Sequence, residues 1–267
     1  MLEPLEAFAY VGGEWKRAPR VPASPPVDVR LLTYNVWFGA HMFEERRAAL
    51  LQELERRKPD VICLQEVTKE LLDVLIDQPW ITRGYTLSDV ELFQTYDVAI
   101  LSRLPVKKLS ALPLATSMGR RLLVAELACG LSIGTVHLES MKQSAQPRAA
   151  QLRAIQPALA ALGDAVLCGD MNFQPTDEVE SSALDPAFVD VWPAVRPDDP
   201  GYTADSQINK MRFELKPTLS RKRIDRVFLH SRRWAAASIE LVGTEPIDID
   251  GTFPSDHFGL AATLTVV

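Results

Sequence analysis

Between Ala165 and Asn172 the chain runs Ala-Val-Leu-Cys, meets Gly169, and then places an acid and an amide two residues apart, Asp170 and Asn172. A short apolar run of this kind, stopped by a glycine, reads as a strand buried on both faces. Such a strand belongs to a layered α/β structure, where ligands collect beyond the carboxyl ends of the strands. Taken alone, Asp-x-Asn after a strand is more often an Asx-rich turn than a catalytic group. The rest of the chain decides between the two.

The same signature recurs. Val29 to Trp37 reads as a strand with Asn35 near its end, followed by an amphipathic helix from Phe43 to Lys58 that Pro59 closes. Val61 to Leu64 begins a second buried strand that ends in Gln65-Glu66-Val67, and Thr68 is placed to cap a helix from Lys69 to Ile76. Strands are expected at Asp97–Ser102, Arg121–Cys129 and Leu131–Leu138, the last two as a hairpin across Cys129-Gly130. A helix from about Pro147 to Leu162 leads back to Ala165. After an irregular, proline-rich passage from Phe173 to about Ser220, strands are expected at Ile224–Leu229, Ser238–Val242 and Phe258–Val267. Hairpins and βαβ-like passages intermingle, which suggests two mixed sheets packed face to face with helices outside.

Residues 1–28 read as an extension. Phe8, Tyr10 and Trp15 around Gly12-Gly13 suggest a small hairpin, and Pro19, Pro22, Pro25 and Pro26 an extended connector. The expected division is therefore an N-terminal extension and connector at 1–28 and one main domain at 29–267.

Composition narrows the partners. The 267 residues, 47% hydrophobic, allow one large or two small domains. With 29 basic and 35 acidic side chains the net charge is −6, which disfavours a general coat for nucleic acid but permits a polyanion held in a local pocket. Cys63, Cys129 and Cys168 are widely spaced in apolar runs, as expected of buried free thiols and not of a zinc site. The N-terminus lacks a basic segment leading into an apolar one, and no apolar run approaches the ~18 residues of a membrane span. A cytoplasmic protein is expected, or a nuclear one in a eukaryote, monomeric and without a membrane partner.

Five strand ends carry polar groups: Asn35, Glu66, His137, Asp170 with Asn172, and Asp256 with His257. Carboxylates and amides are hard oxygen donors suited to Mg²⁺, with Mn²⁺ as a substitute. One metal, a carboxylate base and a histidine together suit metal-assisted hydrolysis of a phosphate ester.

In order along the chain stand Thr33-Tyr34-Asn35, Gln65-Glu66, His137-Leu138-Glu139-Ser140, Gly169-Asp170-Met171-Asn172, Arg223-Ile224-Asp225-Arg226 and Ser255-Asp256-His257. This series resembles the endonuclease/exonuclease/phosphatase superfamily. Arg148 with Gln151, Asp190-Val191-Trp192, Tyr202-Thr203 with Asp205, and Phe253 to Leu260 make it most similar to the tyrosyl-DNA phosphodiesterase 2 family. The resemblance implies a four-layer α/β/β/α sandwich (DNase I-like) and removal of tyrosine from DNA 5′ ends, as left by a trapped topoisomerase. Two departures stand out: Ala204 where the family often has an aromatic, and Gln174 where animal members have a basic residue. Other hydrolases of the superfamily, cleaving nucleic acids, lipid head groups or small phosphodiesters, are the alternative, ahead of a non-catalytic nucleic-acid binder.

The implied roles follow residue by residue. Glu66 would be the principal Mg²⁺ ligand, with Asn35 and Asp256 close by. Asp170 would be the general base and Asn172 would orient the water or a phosphate oxygen. His257, held by Asp225, would stabilise charge on the phosphoryl oxygens, unless Asp225 pairs with Arg223 or Arg226 instead. His137 and Ser140 would donate to phosphate, and Arg120, Lys142, Arg148 and Tyr202 would contact substrate. The basic stretch Lys210, Arg212, Lys216, Arg221, Lys222, Arg223 and Arg226 is expected to add phosphate contacts. Glu139 has no expected role.

Overall fold

Two mixed sheets pack face to face in the computed structural model, which describes residues 1–91 and 94–267. The eight-stranded sheet carries Val29–Asn35 and Val61–Val67 side by side and parallel. The seven-stranded sheet carries Ser132–His137 and Ala165–Asp170 in parallel, with Asp225–His230 antiparallel to the latter. The remaining ladders among the described residues are antiparallel.

Each strand's alternation sorts its side chains between two cores. Leu31, Val61 and Cys63 of one sheet meet Ile133, Val166 and Val227 of the other in the central layer. On the outer face of the eight-stranded sheet, Leu32, Tyr34, Ile62 and Leu64 receive Leu50 and Leu54 of helix Phe43–Arg57 and Leu71, Leu72 and Leu75 of helix Lys69–Ile76. Leu152, Ile155 and Leu159 of helix Ala145–Ala160 cover Leu122, Val124, Val136 and Leu167 of the other sheet. This is the four-layer sandwich the sequence resemblance implied. No helix among the described residues is long and apolar enough to cross a membrane.

Strand Val106–Pro113 was not expected from the sequence. Its exposed Lys107 and Lys108 interrupt the apolar pattern, and the ladder to Arg121–Leu127 is irregular between Val106 and Lys108. Strand Trp234–Val242 begins earlier than expected, because its first half is a run of alanines broken by a register shift between Ala236 and Ser238. The proline-rich passage holds short helices at Glu178–Ser181, Val191–Val195 and Lys210–Leu215. It also carries Ala204–Asp205 paired with Arg221–Lys222.

The extension adds strands to both sheets. Glu3–Leu5 pairs with Leu109 to Ala111 at the edge of the seven-stranded sheet. The hairpin of Phe8–Val11 and Glu14–Arg17 forms with Tyr10 opposite Trp15, and joins the other sheet through Phe8–Leu87 and Ala9–Thr86.

Candidate active site

The carboxyl ends of four strands open on one mouth of the sandwich. Period-two alternation carries the central-layer face of Val29 and Leu31 on to Thr33 and Asn35, and that of Val166 and Cys168 on to Asp170. It likewise brings His137 in line with Ile133 and Thr135, and Asp225 in line with Val227 and Leu229. Asp170 lies opposite both His137 and Asp225 in the ladder. Gly169 permits this close pairing: its φ is +128°, and a Cβ there would sit 2.0 Å from the Val136 carbonyl oxygen.

Glu66 reaches the same mouth by a different route. Gln65 takes the central-layer position and donates to Thr33 Oγ1 (3.0 Å) and Thr135 Oγ1 (3.1 Å), tying the two sheets together. A regular strand would turn Glu66 outward. Instead the ladder to Asp97–Ser102 shifts register between Leu64 and Val67, and Glu66 adopts φ +62°. A bulge with a left-handed residue re-aims its side chain. Its carboxylate accepts from Asn35 Nδ2 (3.1 Å) and from the Phe38 N–H (3.2 Å). The following helix is capped by Thr68, which leaves Glu66 free of that task.

Asn35 Nδ2 also donates to Asp170 Oδ2 at 2.9 Å, so one amide spans the two carboxylates. The Asn172 N–H donates to Asp170 Oδ1 (2.9 Å), and Asn172 Nδ2 to the Leu138 carbonyl (3.1 Å). His257 arrives on the loop before strand Gly259–Val266, where Ser255 Oγ donates to the Asn35 carbonyl (2.6 Å) and accepts from His257 N–H (3.2 Å). His257 Nδ1 bonds Asp225 Oδ2 at 2.8 Å. Asp225 thus chooses the histidine; Arg223 and Arg226 both pair with Asp190. Asp256 Oδ2 is held by Arg212 at 2.6 Å.

His137 Nε2 lies 3.5 Å from Asp170 Oδ2 and 3.5 Å from Arg120 Nη2. Glu139 gains a clear task here: its buried carboxylate accepts from the Thr116 hydroxyl, the Ser117 N–H (2.8 Å) and the Ser117 hydroxyl. That contact fixes the loop leading to Arg120. Ser140 and Lys142 are exposed beyond the strand end, and Tyr202 lies under the Arg221 guanidinium, outside the central cluster.

Three expectations need correction. Arg148 is buried, pairing with Glu180 (2.7 Å) and donating to the carbonyls of Glu139 and Met141, so its guanidinium faces the protein interior and not a substrate. Asn35 presents its amide nitrogen to Glu66, while its oxygen accepts from the Trp37 N–H (3.0 Å), which makes it a donor to the acids. Within the basic stretch Arg212, Arg221, Arg223 and Arg226 are occupied by Asp256, Asp205 and Asp190, leaving Lys210, Lys216 and Lys222 exposed. Burying an arginine demands such an internal carboxylate or carbonyl partner. Ala204, for its part, is fully buried in its short ladder.

Electrostatics set the two ring and acid states apart. Burial, with the charge of Asp225, pushes Asp170 up to about 7, against the opposing pull of His257, Asn172 and Asn35. Burial also raises Glu66, as does the charge of Asp256. For His257 burial opposes the charged form, but Asp225, Asp256 and Asp170 outweigh it and push the ring up to about 10. His137 goes the other way: burial, Arg120 and His257 hold it well below its ordinary value, hence neutral.

The residues fit a hard divalent cation. Among the described residues, the buried Oδ1 atoms of Asp225 and Asp256 have no hydrogen-bond partner. Asp170, Asp225 and His257 bring one ligand-type atom each within 4.8 Å of one another, a group that could hold a metal ion.

Two aromatic residues at the rim are not among the expected site residues. Phe38 stacks on Tyr96 with centroids 4.6 Å apart, and Arg120 lies over the Tyr96 ring at 5.2 Å. Neither ring sits at a strand end, so the pattern that found the other residues passed over them.

Residues 32–257 match the profile of the Endonuclease/Exonuclease/phosphatase family. The chain is 28% identical to tyrosyl-DNA phosphodiesterase 2 of Mus musculus over 265 residues, covering 92% of this chain and 70% of that protein. With the Homo sapiens protein of the same name the identity is 29% over 258 residues, 89% of this chain and 68% of the relative. In fold the chain is similar to D. rerio TDP2 complexed with single strand DNA product, with TM-score 0.80, 24% identity, and coverage of 89% of this chain and 99% of the other. The human Nocturnin catalytic domain with bound sulfate shares the fold at TM-score 0.69 and 18% identity, over 90% of this chain and 94% of that one.

Proposed function

The chain belongs to the Endonuclease/Exonuclease/phosphatase family, and from that premise we propose that it is a Mg²⁺-dependent phosphodiesterase acting on DNA 5′ ends that carry a tyrosyl adduct. It would hydrolyse the 5′-phosphotyrosyl bond and leave a 5′-phosphate. The observation that carries this reading is the pairing, within one mouth, of a buried acid poised near neutrality (Asp170) with a histidine held charged by Asp225. The relation to tyrosyl-DNA phosphodiesterase 2 supports the choice of substrate.

Glu66 and Asp256 are the proposed Mg²⁺ ligands. His257 is set aside, because a protonated ring already bonded to Asp225 offers no lone pair to a metal. When bound, the ion supplies positive charge to the phosphate and polarises water near it. Asp170 accepts the proton of the attacking water, and a group near pH 7 is suited to that step at neutral pH. Asn172 orients the water through its side-chain oxygen, while its N–H and NH₂ hold Asp170 and the Leu138 carbonyl. His257 stabilises negative charge growing on the phosphoryl oxygens.

As the water oxygen bonds to phosphorus, the phosphorus–phenolate bond breaks. Tyrosine, of pKa ~10, departs without needing a strong acid beside it, unlike an alkoxide. His137 and Arg120 face the phosphate, Ser140 and Lys142 extend the contact beyond the strand end, and Tyr202 with the exposed lysines 210, 216 and 222 lines the DNA path.

The test offers purified protein an oligonucleotide with 5′-phosphotyrosine, beside 3′-phosphotyrosine, abasic, RNA and sphingomyelin substrates, each with Mg²⁺ or EDTA. Release of tyrosine from the 5′ adduct with Mg²⁺ alone is expected. Robust cleavage of another substrate without that release would overturn the proposal.

A further inference from the structure

Arg46, on helix Phe43–Arg57, is 2% exposed and makes no salt bridge among the described residues. Among the described residues its guanidinium donates to main-chain carbonyls alone: Nε to His41 (2.8 Å), Nη2 to Gly39 (2.7 Å), and both Nη atoms to Trp37 (3.3 and 3.2 Å). The same group lies over the Trp37 ring at 4.1 Å. A Cβ on Gly39 would come within 2.3 Å of that ring, so the indole is packed closely between Arg46 and the Gly39 backbone.

The loop thus gathered, residues 36–42, enters and leaves through left-handed residues, Trp37 at φ +52° and Met42 at φ +45°. Such a path persists only where the surroundings over-determine it. Two of its N–H groups reach the site: Trp37 to Asn35 Oδ1, and Phe38 to Glu66 Oε2. A rigid planar fork of five donors suits the gathering of three carbonyls; a lysine ammonium does not.

We propose that Arg46 is a positioning residue for the metal site: by holding the 36–42 loop it presents the Phe38 N–H that orients Glu66 toward Mg²⁺. This rests on the reading of Glu66 as the Mg²⁺ ligand. Groups that orient a ligand from behind typically contribute 10- to 100-fold to metal affinity. A purely electrostatic effect would have the opposite sign, since loss of a cation near Glu66 and Asp256 favours a divalent ion. Arg46→Lys keeps the charge and removes the fork, which separates the two.

The experiment titrates Mg²⁺ into metal-stripped wild type, Glu66→Gln, Arg46→Lys and Gly39→Ala by calorimetry, with Mg²⁺-dependent shifts in melting temperature alongside. Arg46→Lys and Gly39→Ala are each expected to bind Mg²⁺ about tenfold more weakly or worse, with kcat at saturating Mg²⁺ within about threefold of wild type. Wild-type Mg²⁺ affinity in a cooperatively melting Arg46→Lys protein overturns the inference. If that variant does not fold, unchanged affinity in Gly39→Ala overturns it. Failure of wild type to bind Mg²⁺, or equal binding by Glu66→Gln, would instead remove the proposed metal site and this inference with it.

Discussion

The two halves of the mouth are built by different means. On the seven-stranded sheet, Asp170, His137 and Asp225 arrive by uninterrupted alternation, Asp170 and His137 as the last central-layer positions of their strands and Asp225 as the first of its own. On the eight-stranded sheet, alternation delivers Gln65, and Glu66 enters only through a bulge, a left-handed backbone and a loop whose N–H holds it. The first half inherits its precision from ladder hydrogen bonds and core packing. The second depends on local strain that a loop must maintain. The half that holds Asp170, the proposed base, should therefore tolerate loop changes, and the half that holds Glu66, the proposed metal ligand, should respond to them.

The largest effects are expected where the alternating half meets the loop before strand Gly259–Val266, at Asp170 and at the His257 that Asp225 holds. Asp170→Asn and His257→Ala should each lower kcat by at least ~10²-fold in the 5′-phosphotyrosyl assay. Asp170→Asn should also raise the melting temperature in EDTA at pH 8, because it removes a buried acid beside Asp225; an unchanged or lower value would count against the raised pKa. Next comes Gly169→Ala, where the added methyl meets the Val136 carbonyl: about 3 kcal/mol of stability should be lost by denaturant titration, whereas Gly39→Ala on the loop should cost far less.

Glu66→Gln sharpens the contrast from the other side, since its loss should appear mainly as a higher Mg²⁺ requirement, about tenfold or more, in a normally stable protein. A smaller effect concerns pH in the absence of metal. The folded pKa of Asp170, about 7, lies above its unfolded value of ~3.9, so the stability it contributes is full below ~3.9 and falls away as pH rises to about 7. His257, pushed up to about 10, contributes fully below its unfolded ~6.5 and loses that contribution as pH rises through about 10. Melting temperature in EDTA should therefore decline from pH 4 to 10, and in His257→Gln the part of the decline that lies beyond the titration of Asp170, toward pH 10, should be lost. The smallest is Lys142→Ala, a few-fold rise in KM for DNA with a shallower salt dependence and no change in stability.

How much was legible in the sequence differs between these halves for the same reason. Strands ending in Asn35, His137 and Asp170 could be read from apolar runs, because burial on both faces imposes that composition and alternation fixes the last side chain's direction. Asp225 could be placed beside His257 once its strand was recognised, and the ladder puts it opposite Asp170. The strand Val106–Pro113 was hidden by lysines that an edge-ward, half-solvated ladder accommodates. Phe38 and Tyr96 come from loops that meet only after folding.

The basic residues show the boundary most clearly. Seven cations crowd residues 210–226 in the sequence, but charge alone does not say where a guanidinium points. Asp190 lies 33 residues before Arg223 and 36 before Arg226, and Glu180 lies 32 after Arg148; each captures an arginine that local composition would assign to DNA. The sequence by itself determined the layered α/β architecture and the strand ends that meet at its mouth, since those follow from periodicity and burial. Only the tertiary structure decided that Glu66 turns inward, that Asn35 donates to two acids at once, and which arginines are free. Those outcomes depend on a local backbone exception and on partners drawn from distant parts of the chain, because a buried charge must find its counterpart wherever the fold supplies one.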